Sequence, residues 1–124
     1  MRHGAVFTAL TLALLGTALS APFEVNEDVM RDIEDVTKSL DSNVSLKQAK
    51  PAQAEVLEVI SFFKQVEGYY AARADKPDAA GYARRAHELG AQIQQALDAG
   101  NYDAASQGVN ALTRTCKTCH DAYK

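Results

Sequence analysis

Two cysteines and a histidine near the C-terminus have the types and spacing needed to hold a haem covalently. Cys116, Cys119 and His120 form the pattern C-x-x-C-H, which is typical of c-type haem attachment. Residues three apart on a helix share a face, so both thiols can reach one edge of a flat macrocycle. The imidazole follows about 100° further round the axis, where it can point under the ring. The pattern predicts one covalent haem c, with His120 as the proximal iron ligand.

Three other kinds of site use similar cysteine pairs. A thioredoxin-like redox centre expects a βαβ setting, and no strand pattern surrounds this pair. A zinc site needs four ligands, and beyond the first 20 residues only His87 remains as a further histidine or cysteine. A closed zinc shell would therefore need carboxylates. A disulfide between helical positions three apart would be strained. Only haem attachment also explains the position of the histidine.

The N-terminus has the composition of an export signal. Arg2 and His3 give it a positive start, and residues 5–15 are apolar. Ala18 and Ser20 suit the −3 and −1 positions of a signal-peptidase site. The apolar run is shorter than the roughly 20 residues of a bilayer-spanning helix. We therefore predict cleavage after Ser20.

That cleavage divides the chain into a signal peptide at residues 1–20 and one domain at residues 21–124. Bacteria attach haem to C-x-x-C-H outside the cytoplasm, so motif and export signal both predict a periplasmic protein. The formal net charge is −3, and losing Arg2 makes it one unit more negative. Negative charge disfavours nucleic acid and anionic membranes as partners. We expect periplasmic or membrane-bound redox proteins as partners, and no membrane insertion after cleavage.

Four segments from Asn26 onward repeat apolar residues at helical spacing, and none alternates as a strand does. Asn26 and Asn101 are suited to cap the first and fourth helices, and Gly100 to end the third. Pro51 is expected to open the second helix within its first turn, after a polar loop at Ser42–Lys50. Amphipathic helices with mostly short connections predict an all-α, antiparallel four-helix bundle.

Each predicted helix has one apolar stripe for the core. The stripes are Val29, Ile33, Val36 and Leu40; Ala52, Val56, Val59, Ile60, Phe63, Val66 and Tyr70; Tyr82, Ala86, Leu89, Ile93, Ala96 and Leu97; and Tyr102, Ala105, Val109 and Leu112. The fourth stripe continues through Cys116 and Cys119, so we expect the haem against the bundle interior. Gly108, on the same face, leaves room for the ring or for a close helix approach.

The chain resembles the class II cytochromes c, the family of cytochrome c′ and its low-spin, methionine-ligated relatives. The resemblance covers the whole predicted domain, with Cys116–Lys124 closing the last of four helices. It implies that His120 is the fifth iron ligand and that the first helix controls the sixth position. The family often ends in an aromatic residue and arginine, where this chain has Tyr123 and Lys124.

Met30 is the one methionine left after removal of the leader. It stands near the start of the first helix, where the methionine-ligated relatives carry their distal sulfur. The resemblance therefore implies a low-spin iron ligated by His120 and Met30 that carries electrons. From the helical wheel, Met30 lies about 70° from the stripe centre, which also suits a flexible gap-filler. The alternative is a five-coordinate iron that binds small gases such as nitric oxide and carbon monoxide.

Three further expectations concern activity, a second histidine and assembly. No nucleophile triad, phosphate loop, HExxH element or distal histidine–arginine arrangement appears in the sequence, so we do not expect an enzyme. His87 lies about 120° from its stripe centre and is expected at the surface, away from the iron. Leu57 and Phe62 lie off the main stripe of their helix and permit a homodimer.

Overall fold

The computed structural model of the chain describes residue 16 and residues 21–123. These residues form four helices and no strand: α1 (Glu27–Ser45), α2 (Ala49–Ala71), α3 (Ala79–Asp98) and α4 (Tyr102–Tyr123). Within this part of the chain, α1 and α3 each contact α2 and α4, and neither diagonal pair of helices is in contact. The predicted all-α four-helix bundle is therefore confirmed, while the haem stays a prediction.

The ends of the helices show that neighbours run in opposite directions. Gln53, near the start of α2, donates to the Asp98 carboxylate at the end of α3, at 3.2 Å. The backbone amide of Asp78, just before α3, donates to the Tyr123 hydroxyl in the last turn of α4, also at 3.2 Å. Because the connections between consecutive helices are short, the bundle is antiparallel.

The predicted signal peptide at residues 1–20 lies outside the described residues, apart from Gly16. Lys124, the last residue of the predicted domain, also lies outside them. Among the helices of the described part, none is long and apolar enough to cross a bilayer.

Three predicted helix boundaries are confirmed by their hydrogen bonds. The side-chain oxygen of Asn26 accepts from the amide of Val29 at 3.1 Å, so Asn26 caps α1. Asn101 accepts in the same way from Ala104 at 3.0 Å and caps α4. Gly100 follows α3 with a φ of 69°, in the left-handed region that glycine enters without a steric penalty.

The predicted loop at Ser42–Lys50 is wrong at both ends. α1 continues through Ser45 and α2 begins at Ala49, so residues 46–48 alone connect them. Pro51 stands in the first turn of α2, as predicted, but two residues after its start. A proline there leaves no helical hydrogen bond unmade, because the first-turn amides have no intrahelical acceptor.

Contacts with α2 explain why the last turn of α1 stays helical. Val44 is 2% exposed within the core, and the Asn43 amide donates to both carboxylate oxygens of Glu55 at 3.0 Å. Lys47 then reverses the chain with a φ of 55°. The amide of Gln48 donates to the Asn43 carbonyl at 2.8 Å, which closes the helix end in the pattern normally made by glycine.

The core follows the predicted stripes. Its buried residues are Ile33, Leu40, Val44, Ala52, Val56, Val59, Phe63, Val66, Ala83, Ala86, Leu89, Ile93, Leu97, Ala105, Val109 and Leu112. Several predicted members lie at its edge and are half-buried, among them Val36, Ile60 and Tyr70. No buried polar or charged residue is present among the described residues, so the interior is held by apolar packing alone.

Two glycines bring α3 close to both of its neighbours. A Cβ atom added at Gly90 would lie 2.7 Å from Cγ1 of Ile60 in α2. A Cβ atom added at Gly108 would lie 2.6 Å from Cγ1 of Ile93 in α3. Non-bonded carbon atoms pack at about 3.5–4.0 Å, so each isoleucine occupies the space that a side chain would need. Gly108 therefore serves close helix packing.

We expect Gly108→Ala to destabilise the folded protein, measured as the free energy of unfolding in urea. Overpacking a core contact costs about 1–3 kcal/mol, and replacing a helical glycine by alanine returns about 1 kcal/mol. Gly68→Ala is the matched control, because Gly68 is also helical and nothing lies within 4 Å of its added Cβ. The control should gain about 0.5–1 kcal/mol. Equal gains in both variants would contradict the close approach.

Candidate functional site

The residues of the C-x-x-C-H pattern lie in the last two turns of α4. Cys116, Cys119 and His120 are all half-buried, and both cysteines are free thiols. Cys116 packs against the hydrophobic core, so the apolar stripe of α4 does continue into the motif. Among the described residues, no hydrogen bond or ion pair engages the His120 side chain. Its ring nitrogens are available to a ligand.

Met30 belongs to the same end of the bundle. It lies in the first turn of α1, is half-buried and packs against the core. One turn further along α1, Glu34 is near enough to act electrostatically on the Cys116 thiol. Because α1 and α4 are antiparallel neighbours, the start of α1 lies alongside the end of α4. The fold therefore brings both predicted iron ligands to one end of the molecule.

The packing at this end is uneven. α2 and α3 close it with the buried residues Phe63, Val66, Ala79 and Ala83. The buried residues of α1 begin only at Ile33, and those of α4 end at Leu112. Of the four neighbouring helix pairs, α1 and α4 make the least extensive contact. The site thus lies where the apolar core is least closed.

These features fit a c-type haem. Two free thiols stand on one face of α4, and an imidazole without a partner follows them. Cys116 packs against the apolar core and the Tyr70 ring lies near Cys119, which suits a macrocycle with a large apolar surface, while Glu34 and Lys76 place one charge of each sign near the thiols. Cys116 and Cys119 would hold the ring edge, and His120 would ligate the iron. Within residue 16 and residues 21–123, no cluster of three His, Cys, Asp or Glu residues suits a metal ion.

Burial raises the pKa of both thiols. It raises the pKa of the Cys116 thiol to about 11, with smaller contributions from Cys119 and the Glu34 carboxylate. Burial also raises the pKa of Cys119, against the opposing effect of Lys76. The Tyr70 pKa is raised chiefly by burial and next by Cys119, which indicates that Tyr70 adjoins the motif.

An aromatic cluster extends from Tyr70 along α2. Tyr70 and Tyr69 meet edge to face with ring centroids 5.1 Å apart, and Phe62 and Phe63 do so at 5.2 Å. Phe23, which precedes α1, contacts Phe62 at 5.7 Å and Tyr69 at 6.5 Å. Only Phe63 is fully buried. The α2 stripe predicted core positions for Phe63 and Tyr70, but the sequence gave no sign that Phe23 would join this cluster.

The expectation that His87 is a solvated surface residue is wrong. Its side chain is only 17% exposed, and Nε2 donates to Oε2 of Glu67 in α2. Arg84 donates to the other oxygen of the same carboxylate at 2.8 Å. Both hydrogen bonds lower the pKa of Glu67, and the bond from His87 has the larger effect. His87 therefore links α3 to α2 through Glu67.

Comparison of this chain with protein-family models, with curated proteins and with solved structures finds no match. The likeness to class II cytochromes c consequently rests on the residues of the motif, their position at the end of α4, and Met30 at the start of α1.

The raised pKa of Cys116 predicts slow alkylation of the haem-free chain. A pKa of about 11 instead of 9 makes the thiolate fraction at pH 7 roughly a hundredfold smaller. We expect iodoacetamide to modify Cys116 more slowly than Cys119, measured by peptide mass spectrometry. The Cys116 rate should rise about tenfold per pH unit up to the raised pKa.

The same reaction in concentrated urea is the control, because unfolding removes burial and should make the two rates similar. The pH dependence of stability gives a second check. Because the pKa of Cys116 is higher in the folded chain than in the unfolded one, its contribution to stability is fully present below the unfolded pKa and is lost as pH rises through the folded pKa. Labelling of native Cys116 at pH 7 as fast as in urea would contradict its burial.

Proposed function

We propose that this protein is a periplasmic monohaem c-type cytochrome that carries electrons. The observation that carries the proposal is the position of Cys116, Cys119 and His120. Two free thiols continue the apolar stripe of α4, and the unpartnered imidazole follows them. Haem c bound there would supply a one-electron ferric/ferrous couple.

The residues around the motif have complementary roles in this proposal. Cys116 and Cys119 fix the ring edge to α4, and His120 supplies the proximal nitrogen. Met30 supplies a soft thioether sulfur from α1, which raises the reduction potential and leaves no open coordination position. The apolar side chains at this end exclude water, and a low local dielectric further tunes the potential.

One observation favours a second function. Met30 packs against the hydrophobic core, as a gap-filling methionine would. If its sulfur stays there, the iron would be five-coordinate with an apolar distal side. Such a site would bind nitric oxide or carbon monoxide instead of only passing electrons.

The proposed partners are periplasmic or membrane-bound redox proteins. α1 carries acidic residues on its exposed surface, among them Asp28, Asp32 and Asp35, with few basic ones. A basic patch on a redox partner would be steered toward such a surface, and the association rate would fall with rising salt.

Covalent attachment can be tested by mass. In a bacterium that matures c-type cytochromes, we expect the exported chain to retain one haem after acid–acetone extraction and to lack residues 1–20. Cys116→Ser combined with Cys119→Ser should abolish retention, because both thioether sulfurs are lost. Thr118→Ser, within the same motif, is the control and should retain haem. Recovery of the bare wild-type polypeptide would reject the haem proposal.

The visible and near-infrared spectra decide the sixth ligand. We expect an oxidised low-spin spectrum with a weak sulfur-to-iron band and slow carbon monoxide binding. Met30→Leu keeps the apolar volume but removes the sulfur, so it should abolish the band and open the iron to carbon monoxide. Val29→Ala alters the adjacent residue and should preserve the band. A high-spin wild-type spectrum with ready nitric oxide binding would establish the gas-binding function instead.

A further inference from the structure

A cleft between α3 and α4 lies beside the C-x-x-C-H motif but on another face of α4. It is open to solvent and has a volume of about 260 Å³. Its lining residues are Tyr82, Arg85, Ala111, Arg114, Thr115 and Thr118. Thr118 is the one motif residue that lines it; the two cysteines, His120 and Met30 do not. The α4 residues of the cleft centre about 120° round the helix from the two cysteines, so the cleft opens on a different side of α4 from the thiols.

The charge of the cleft is positive and unbalanced. Arg85 projects from α3 and Arg114 from α4, and none of the six lining residues is acidic. No carboxylate among the described residues pairs with either guanidinium group. The adjacent arginine on α3 does have a carboxylate partner: Arg84 pairs with Glu67 at 2.8 Å. Two unpaired arginines that face one cleft from different helices form an anion-binding arrangement.

The remaining polar groups fit the same ligand class. The Thr115 hydroxyl donates to the Ala111 carbonyl at 3.0 Å, and the Thr118 hydroxyl donates to the Arg114 carbonyl at 2.9 Å. Because both threonine protons are used within α4, the donors left for a ligand are the two guanidinium groups and the Tyr82 hydroxyl. All three are suited to oxygen acceptors that carry negative charge.

The volume limits the size of the ligand. Liquid water takes about 30 Å³ per molecule, so the cleft has room for a small oxyanion with several waters. Pockets for drug-sized ligands enclose about 300–1,000 Å³, which is larger. A nucleotide or an extended peptide would therefore protrude from the cleft.

We propose that the α3–α4 cleft binds a small oxyanion of the phosphate or sulfate class through Arg85 and Arg114. The guanidinium forks can each present two N–H donors to such an anion, one from either helix. A bound dianion would neutralise the repulsion between the two arginines and link α3 to α4. This proposal does not depend on the haem.

Titration of the purified mature protein with inorganic phosphate tests the site. Ionic strength is held constant with sodium chloride, and backbone amide shifts are followed by NMR. We expect saturable shifts confined to the cleft residues. Arg85→Gln and Arg114→Gln should each weaken the affinity roughly tenfold, since each removes a charge-assisted contact. The double variant should show no saturation.

Two matched variants separate a site from general positive charge. Arg84→Gln and Lys117→Gln each remove one positive charge from the same helices, but Arg84 and Lys117 pair with carboxylates and do not line the cleft. We expect both to bind phosphate within about twofold of the wild type. Circular dichroism establishes that each variant is folded. Absence of saturation in the wild type, or equal weakening in all four single variants, would overturn the proposal.

Discussion

The close packing of α3 against both α2 and α4 is the constraint on which the arrangement depends. Ile60 fills the space at Gly90, and Ile93 fills the space at Gly108, so these three helices have little freedom to move apart. An interior without buried polar groups supplies no directional bonds of its own, and shape must specify the register. This packing determines where the cysteines of α4 lie relative to the other helices.

α1 is attached to the bundle differently from the other three helices, and this determines where a haem could be accommodated. Its exposed charges pair mainly along its own length, as Arg31 does with Glu27 and Lys38 with Glu34; solvent screens such exposed pairs, so they contribute little to stability. Its firm attachment is near its C-terminus, where Asn43 bonds Glu55. Before Ile33, the residues of α1 are half-buried at most. The end of α1 that carries the predicted ligand is thus less buried than the opposite end, and Phe23 just before it packs on Phe62 and Tyr69 of α2.

The sequence predicted what local chemistry determines. The caps at Asn26 and Asn101 depend on neighbouring amides, and the stripes depend on helical period; both were confirmed. The length of α1 could not be derived, because its last turn depends on Val44 in the core and on Glu55 from another helix. His87 was misplaced for the same reason: its carboxylate partner belongs to α2. The topology brings the predicted haem-binding residues to one end of the bundle: Cys116, Cys119, His120 and Met30. The sixth iron ligand depends on distances between helices, which the spacing of residues along the sequence does not give.

The uneven core gives the proposed haem a structural role as well as a chemical one. Apolar burial contributes about 25 cal/mol per Å², so covering 200 Å² of ring and side-chain surface would contribute roughly 5 kcal/mol. That is comparable with the net stability of a small domain. A ring fixed to α4 by Cys116 and Cys119 would meet the start of α1 across the least extensive helix contact. Attachment would then order α1 near Met30, and the geometry of the sixth coordination position would depend on how firmly that turn packs.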